Sequence, residues 1–315
     1  MTETRRLRAN SVYRALTAVG DRWSLLILGA AFQGCVRFRD WTNTIGISSN
    51  VLTNRLGRLV ELGCLEKRSG DDARGFEYHL TAMGTDLYPT ALMFWRFDQL
   101  WSESPAIHPE VLIHEACGRE MMPEIVCPHC REEIRARDIT YEDGPGAGYE
   151  AAPPPRVSRR SSVTLEDGAS RLFRESVDYV GDRWTQMVIA SIFLGASRFD
   201  EIQRECGIAT NILADRLKAL VESDLVQRRR YQTRPDRFEY VLTPKGLDTY
   251  PIALTLMSWG DHWLATPAGP PLLVHHTPCG NKLDPALVCV SCGRRPDPHE
   301  VSFGPGRGEA LSQAR

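Results

Sequence analysis

Cysteine and histidine residues with the spacing of metal ligands occur twice in this chain of 315 residues. Each set begins with a histidine and a cysteine separated by two residues and continues, after nine intervening residues, with two cysteines separated in the same way. Two such pairs supply the tetrahedral N/S ligand set of a zinc site of the ribbon type. The sequence therefore predicts two zinc ions per chain, one held by each set. The candidate ligands are His114, Cys117, Cys127 and Cys130 in the first set, and His276, Cys279, Cys289 and Cys292 in the second.

The identity of the fourth ligand in each set stays open at this point. His114 and His276 occupy matching positions, whereas His129 and His275 lie near the ligand pairs without a counterpart in the other set. The alternative to a metal site is a group of reduced thiols that stabilises small loops. With four protein ligands the zinc has no position left for water, so its expected role is structural and not catalytic.

The remaining three of the nine cysteines carry a different prediction. Matching positions elsewhere in the chain hold hydrophobic residues: Cys35, Cys64 and Cys206 align with Ala196, Leu225 and Ile45. We therefore expect these three thiols to be buried in the core.

Such a comparison is possible because the chain contains two similar copies of one domain. Gly20-Asp21-Arg22-Trp23 returns 161 residues later as Gly181-Asp182-Arg183-Trp184, and Phe76-Glu77-Tyr78 returns 162 residues later as Phe238-Glu239-Tyr240. A repeat unit of this length indicates a duplicated domain and not a solenoid.

Each copy has the order of elements of a helix-turn-helix. Helices are predicted over 8–19, 23–32, 37–44 and 49–62 in the first copy, and over 172–180, 184–193 and 210–223 in the second. Asp21 and Asp182 stand where a carboxylate can cap the second helix of each copy. In 49–62 the leucines fall on one face, which leaves amides and arginines on the other. Two helices, a turn containing glycine and an amphipathic helix describe a helix-turn-helix.

A hairpin and a closing helix follow in each copy. The strand-like stretches 65–68 and 76–80 flank a polar tip, which is the pattern of a wing. Thr81 is placed to cap the closing helix, and Pro89 is expected to kink or divide it. Their counterparts in the second copy are Thr243 and Pro251.

The free faces of the helices over 49–62 and 210–223, together with the wings, carry the candidate DNA-binding residues. Short polar side chains there suit base edges or phosphates, and the arginines are long enough for either. The alternative is an ordinary solvated helix face. The candidates are Ser48, Ser49, Asn50, Thr53, Asn54, Arg55, Arg58, Arg68 and Arg74 in the first copy, and Thr210, Asn211, Asp215, Arg216, Lys218, Arg229, Arg230 and Arg234 in the second.

The two candidate DNA-binding surfaces differ in charge. Residues 209–237 hold seven basic and four acidic residues, whereas residues 48–74 hold five basic and four acidic ones. We therefore expect the second copy to bind phosphates more firmly. Because Asn54 aligns with Asp215, we also expect the two copies to recognise half-sites of different sequence.

The order helix, Gly-Asp-Arg-Trp, helix-turn-helix, wing ending in aromatic-Glu-Tyr-x-Leu-Thr, and closing helix resembles the HxlR-type winged-helix transcription regulators, relatives of the MarR group. The likeness covers about residues 10–101 and 171–263. It implies DNA binding and closing helices that pair between subunits. Two copies in one chain would then stand in for the homodimer. Many relatives carry a redox-sensing cysteine near the start of the domain, but 5–13 and 163–173 contain none, so thiol sensing is not carried over.

The predicted fold class is mainly α with small β wings, comprising two winged helix-turn-helix domains, each with a small zinc-ribbon-like extension. The expected boundaries are 1–104 for the first winged helix, 105–140 for its zinc-ribbon-like motif, 141–164 for a linker, 165–266 for the second winged helix, 267–297 for its zinc-ribbon-like motif and 298–315 for a disordered tail.

The composition predicts an ordinary soluble globular protein. It is 42% hydrophobic and 25% charged, and its formal net charge of −2 excludes a histone-like basic protein. No apolar run reaches the roughly 18 residues that a membrane span needs, and the first residues do not lead into a signal-peptide core. We therefore expect a cytoplasmic protein with no membrane partner.

The expected function is sequence-specific binding of double-stranded DNA by a transcription regulator that acts as a monomeric pseudo-dimer. A small-molecule effector is left open. The first alternative is an adaptor that docks on the transcription machinery and has little DNA affinity of its own. The second is a zinc enzyme, which the complete ligand sets argue against. No Ser-His-Asp set, P-loop or Rossmann fingerprint recurs in both copies, so no catalytic residues are predicted.

Overall fold

The computed structural model describes residues 6–70, 75–102, 110–151, 172–173, 176–179 and 182–305. Its helices are α1 (Ser11–Val19), α2 (Arg22–Phe32), α3 (Phe38–Ile45), α4 (Ser49–Leu62), α5 (Ala82–Thr85), α6 (Tyr88–Trp101), α7 (Ser176–Tyr179), α8 (Arg183–Phe193), α9 (Phe199–Cys206), α10 (Thr210–Glu222), α11 (Pro244–Leu247) and α12 (Tyr250–Trp263). Among the described helices, no single helix is long and apolar enough to cross a membrane. The consecutive helices α1 and α2, which are bent by 80° relative to each other, reach the required length and apolar composition only when they are counted together.

Short strands complete the fold. They are β1 (Arg6–Arg8), β2 (Leu65–Ser69), β3 (Phe76–Leu80), β4 (Glu110–His114), β5 (Arg119–Met121), β6 (Pro123–Val126), β7 (Ile139–Asp143), β8 (Tyr149–Ala151), β9 (Val226–Thr233), β10 (Asp236–Leu242), β11 (Leu272–His276), β12 (Asn281–Lys282), β13 (Ala286–Cys289) and β14 (Val301–Pro305). They form antiparallel sheets of two or three strands. The fold is therefore mainly helical with small sheets, which confirms the predicted class.

The chain forms two compact units, and each unit takes segments from both copies. Unit 1 comprises Met1–Asp21, Ile134–Val163 and Asp178–Asp284, and unit 2 comprises Arg22–Glu133, Thr164–Val177 and Pro285–Arg315. Unit 1 thus contains the second winged helix with the opening helix of the first copy. Unit 2 contains the first winged helix with the start of the second copy.

In unit 2, the first winged helix is built around the apolar helix α2. The fully buried Trp41 of α3 donates its indole N–H to the carbonyl oxygen of Ile27 at 3.0 Å. Helix α3 ends at Gly46 and α4 at Gly63, which have φ angles of 61° and 91°. Glycine adopts this left-handed conformation readily, so both residues end their helices sharply. These two helices and the turn between them are the predicted helix-turn-helix.

In unit 1, the second winged helix repeats this arrangement. Helix α9 ends at Gly207, with a φ angle of 57°, and α10 follows with its leucine stripe buried. Strands β9 and β10 form the wing, and the N–H of Tyr240 bonds to the carbonyl oxygen of Ser197 at 2.7 Å. The first copy has the matching bond from Tyr78 to Val36 at 2.8 Å. The predicted winged helix-turn-helix elements are therefore present in both copies.

The opening helix of each copy packs in the unit that contains the other copy's closing helix. In unit 1, α1 lies against α12, and the Ser11 hydroxyl donates to Asp261. A Cβ on Gly260 of α12 would lie 2.5 Å from the carbonyl oxygen of Ser11, so only glycine allows this approach. In unit 2, the buried Asp98 of α6 accepts hydrogen bonds from the N–H and hydroxyl of Ser176, at 2.9 and 2.7 Å. The two copies therefore exchange their opening segments.

Several predicted boundaries differ from the structure. The first helix begins at Ser11 and not at residue 8, because β1 pairs with β8 and Asn10 caps the helix. The predicted division of the closing helix at Pro89 is confirmed, because α5 ends at Thr85 and Pro89 lies in the first turn of a new helix, α6, where a missing N–H costs nothing. Of the predicted helix over 172–180, the structure describes a helical segment at α7.

The predicted linker and tail are ordered in part. Residues 141–143 belong to β7 and residues 149–151 form β8, whereas 152–164 of the predicted linker lie outside the described residues. Residues 301–305, assigned to a disordered tail from the sequence, form β14 and pair with β4. The unpaired backbone groups of β4 on that edge explain this difference. Residues 306–315 lie outside the described part.

Candidate metal centre and nucleic-acid interface

Four of the predicted metal ligands meet within unit 2. His114 ends β4 and Cys117 lies in the turn after it, while Cys289 ends β13 and Cys292 lies in the next turn. The Nδ1 atom of His114 is 3.6 Å from the sulfur of Cys117 and 3.3 Å from that of Cys292. One ligand atom from each residue lies within 4.8 Å of all the others. The four side chains therefore surround a single point.

The backbone holds both ligand pairs in tight turns. The N–H groups of Cys117 and Gly118 both bond to the carbonyl oxygen of His114, at 3.0 and 2.8 Å. Cys292 and Gly293 bond to Cys289 in the same way, at 3.2 and 2.7 Å. Gly118 and Gly293 have φ angles of 65° and 72°, and glycine is favoured in this left-handed region. Each turn thus directs two potential metal ligands to the same side.

The donor set fits a zinc ion. In a tetrahedral site with Zn–S bonds of about 2.3 Å, two ligand sulfurs lie about 3.8 Å apart, which the observed spacing accommodates. His114 and Cys289 are fully buried, so two ligands are shielded from water. Burial raises the pKa of the Cys289 thiol, whereas a backbone N–H bond from Arg294 lowers that of Cys292 to about 6. All nine cysteines are free thiols, so no disulfide competes for these sulfurs.

The structure corrects the predicted pairing of the ligands. The sequence predicts one zinc ion for the four ligands of a single copy, but the group in unit 2 takes His114 and Cys117 from the first copy and the last two cysteines from the second. These four residues form, within unit 2, a group of three cysteines and one histidine that could hold a metal ion. Of the other predicted ligands, Cys127 and Cys130 belong to unit 2, and His276 and Cys279 belong to unit 1.

The three remaining cysteines lie outside these groups. Cys64 and Cys206 are fully buried, as predicted, and burial raises their pKa values to about 12 and about 11. Cys35 is half-buried, which corrects the prediction of a core position, and its sulfur lies 3.7 Å from the Thr44 hydroxyl. Burial also raises the pKa of Cys35. Thiols with raised pKa values are weak nucleophiles at neutral pH.

Most candidate DNA-binding residues of the first copy lie on an accessible face. Residues at the start of α4 and on its free side are exposed, and Arg55 and Arg58 are half-buried. The Thr53 hydroxyl donates to the carbonyl oxygen of Ser49, and Arg55 donates to the side chain of Asn54 at 3.2 Å. Arg74 lies outside the described residues. The exposed candidates are Ser48, Ser49, Asn50, Thr53, Asn54 and Arg68.

The second copy presents a similar face on α10 and its wing. Thr210 accepts a hydrogen bond from Gln203 of α9 at 2.8 Å, and Lys218 lies 3.8 Å from Glu222 one turn later. Asp215 has no ion pair among the described residues. The exposed candidates here are Thr210, Asn211, Asp215, Lys218, Arg229, Arg230 and Arg234.

The wings carry cations that are already paired with neighbouring side chains. In the second wing, Arg229 pairs with Glu239 at 2.7 Å and Arg230 lies 3.5 Å from Asp236. The guanidinium of Arg228 stacks on Phe238, 3.4 Å from its ring centroid. In the first wing, Lys67 stacks on Phe76 at 3.6 Å. Exposed ion pairs contribute little free energy, so a phosphate can compete for these cations.

Arg216 occupies a different position from the other candidates. Its Nε donates to Asp182 at 2.5 Å, and the two side chains are only 13% and 27% exposed. Asp182 also caps α8 by accepting from the N–H of Thr185 at 3.1 Å. The aspartate of the Gly-Asp-Arg-Trp motif therefore fixes α10 to the start of α8. Arg55, at the matching position in the first copy, is also half-buried.

Replacing Arg216 with alanine should lower the free energy of unfolding by about 2 kcal/mol, because a largely buried carboxylate loses a charged hydrogen-bond partner. Lys218→Ala is the matched control on the same helix, and its exposed pair with Glu222 predicts a loss below about 0.5 kcal/mol. Chemical denaturation of the zinc-loaded protein measures both. An Arg216→Ala variant as stable as the parent chain would show that this pair has no structural role.

Comparison with known proteins identifies the repeated domain. The HxlR-like helix-turn-helix family matches residues 18–113 and 179–267, which together make up more than half of the chain. The chain is 38% identical over 150 residues to Rv3095 of Mycobacterium tuberculosis, described as an uncharacterised HTH-type transcriptional regulator. That alignment covers 46% of this chain and 95% of the relative. The relative is therefore about as long as one copy.

Two further relatives align with shorter stretches. YvaP of Bacillus subtilis is 31% identical over 93 residues, which cover 29% of this chain and 86% of YvaP. An HTH-type transcriptional regulator of Methanothermobacter thermautotrophicus is 36% identical over 86 residues, covering 27% of this chain and 66% of that protein. These relatives carry the same description as the first. The chain belongs to the HxlR-like helix-turn-helix family and contains the family's domain twice.

Proposed function

We propose that this protein is a sequence-specific regulator of transcription that binds double-stranded DNA as a single chain, its two winged helices replacing those of a homodimer. The observation that carries the proposal is the exposed polar face of α4 and α10, which occurs in both copies of a helix-turn-helix family domain. In this proposal α4 and α10 are the recognition helices, which enter the major groove. A transcription regulator acts on the chromosome, so the proposed function agrees with the cytoplasmic location expected from the sequence.

We assign a role to each candidate DNA-binding residue from its position and its contacts. Asn50 and Asn211, exposed in the first turns of α4 and α10, are placed for base edges, since an amide can bond adenine bidentately. Arg68, Arg229 and Arg230 on the wings are placed for phosphates. We assign Arg216 a supporting role, because its guanidinium is bonded to Asp182. Its contribution to DNA affinity would come through the position of α10.

We propose that the metal groups hold two structural zinc ions per chain. The Cys3His donor set and the spacing of its atoms in unit 2 support this assignment. Four protein ligands complete the coordination shell, so the proposal includes no metal-bound water and no catalytic activity. The zinc would add to the backbone hydrogen bonds that hold the turns after β4 and β13.

Selection from random DNA tests the proposal and its prediction of unequal half-sites. The enriched site should be an imperfect palindrome, because the exposed Asp215 of α10 stands where α4 has Asn54. A carboxylate accepts from cytosine N4, whereas an amide suits adenine. Asp215→Asn should relax base preference in one half-site only, and Asn54→Asp is the matched change in the other copy.

Two outcomes of this selection, and one of a sedimentation experiment, would contradict parts of the proposal. A perfect palindrome that Asp215→Asn leaves unchanged would show that the aspartate reads no base. Enrichment of no sequence at all would contradict DNA recognition and favour the adaptor that docks on transcription machinery. Sedimentation of the complex on one selected site should give a single chain, and an obligate pair of chains would contradict the pseudo-dimer.

A further inference from the structure

The metal-binding histidine of unit 2 leaves one ring nitrogen without a protein partner. His114 directs Nδ1 towards the sulfurs of Cys117 and Cys292. Its other nitrogen, Nε2, is buried and forms no hydrogen bond within the described part of the chain. A neutral imidazole that binds metal through Nδ1 carries its proton on Nε2, so this atom is a donor. A buried N–H group of this kind requires a hydrogen-bond acceptor.

The carboxylate of Glu300 lies close to this nitrogen. Its Oε2 lies 3.9 Å from Nε2 of His114, longer than a hydrogen bond but within reach after rotation of the glutamate side chain. The Glu300 side chain is 51% exposed, so it is free to make that movement, whereas His114 is completely buried. The acceptor can therefore approach the histidine without any change in the core.

The backbone around Glu300 is anchored to the strand that carries His114. Glu300 ends the 3-10 helix Pro298–Glu300, which Asp297 caps. Its carbonyl oxygen accepts from the N–H of Glu115 at 2.8 Å, and the next residue, Val301, pairs with His114 in the sheet. The carboxylate is thus attached to a segment whose position is defined relative to the ligand.

The second copy's histidine, in unit 1, has the same arrangement of backbone. Asp138 precedes Glu300 by 162 residues, the spacing of the repeat, and ends the 3-10 helix Ala136–Asp138. Its carbonyl oxygen accepts from Thr277 at 2.8 Å, and the next residue, Ile139, pairs with His276. An acidic residue therefore ends the same short helix beside each metal-binding histidine.

We propose that Glu300 accepts the Nε2 proton of His114 and so positions this histidine on the metal, with Asp138 as its counterpart for His276. Carboxylates commonly orient metal-binding histidines in this way, and their loss weakens metal affinity by about 10- to 100-fold. The inference rests on the proposed zinc role of the Cys3His groups. It assigns a function to the segment 297–305, which overlaps the tail predicted from the sequence.

Competition with a chromophoric zinc chelator tests this role on the reduced, zinc-loaded full chain. In Glu300→Ala, one of the two zinc ions should transfer at about tenfold lower chelator concentration. Glu300→Asp keeps a carboxylate and matches the aspartate at position 138 in the other copy, so this variant should retain most of the zinc affinity. The control is Glu115→Ala, because the Glu115 carboxylate is exposed beside His114 in sequence but accepts from Ser302.

A second measurement separates positioning from a general structural role. The zinc-stripped Glu300→Ala and parent proteins should unfold at the same temperature, since the carboxylate acts only through the metal-bound histidine. Parent-like zinc affinity in Glu300→Ala, or an equal loss in the Glu115→Ala control, would overturn the inference. A parent chain that binds no zinc would instead contradict the proposed metal role itself.

Discussion

A chain with both His114→Ala and Cys289→Ala should lose one zinc ion, whereas a chain with His114→Ala and Cys127→Ala should lose both. The reason is the grouping of the ligands: His114 and Cys289 belong to one Cys3His group within unit 2, and Cys127 is not part of that group. Removing two ligands from one ion leaves the other ion intact. Native mass spectrometry of the reduced proteins counts the zinc ions directly.

The same experiment distinguishes this pairing from the one that the sequence suggested. If each ion used the ligands of a single copy, His114→Ala with Cys127→Ala would be the pair that loses one ion. The single variants serve as controls, and each should lose one ion at most. Two ions lost from the His114 and Cys289 double variant would contradict the grouping within unit 2.

Zinc loss should also lower stability strongly, because the ion joins distant parts of the chain. His114 and Cys292 are 178 residues apart, and closing a loop of that length removes unfolded-state entropy worth roughly 5 kcal/mol. A site closed within one copy would join residues far nearer in sequence and gain less. A zinc ion held by this group would therefore help to hold the two copies together and to order each turn.

The repeat explains both what the sequence could predict about the metal site and what it could not. The eight ligands recur at the same spacing, which identifies them as two sets. However, the cysteine pair at Cys127 and the pair at Cys289 are chemically identical partners for His114, and either completes the same tetrahedron. The local spacing therefore identifies the ligands but does not show which two ligand pairs share a zinc ion. Only the pairing of β4 with β14 and of β6 with β13 decides between them.

The helices were predictable for a similar reason. Apolar periodicity, the glycine in the turn after α3, and the caps at Thr81 and Thr243 are local signals, and the structure confirms them. The strand β14 was missed because its order depends on pairing with β4, far away in sequence. The bond between Arg216 and Asp182 was missed because an arginine on an amphipathic helix gives no local sign of its partner.

Reversing two charges on the second wing should abolish detectable DNA binding at moderate salt. Arg229→Glu with Arg230→Glu replaces two cations by anions, and repulsion of phosphate adds to the lost contacts. The two arginines are exposed on β9 and are now paired with the half-buried Glu239 and the exposed Asp236, and a phosphate can compete with these partners. We expect at least a 100-fold loss of affinity, measured by fluorescence anisotropy on a selected site.

The salt dependence shows whether this loss comes from phosphate contacts. For the milder variant Arg229→Ala with Arg230→Ala, the slope of log K against log salt should fall by about 2, since each lost contact removes about 0.9. The control for the reversal is Arg137→Glu with Arg295→Glu, the same change in net charge at two exposed arginines outside both winged helices. An equal loss of affinity in that control would show that net charge alone governs binding. A smaller loss confined to the wing variant, with an unchanged slope, would place these arginines away from the DNA.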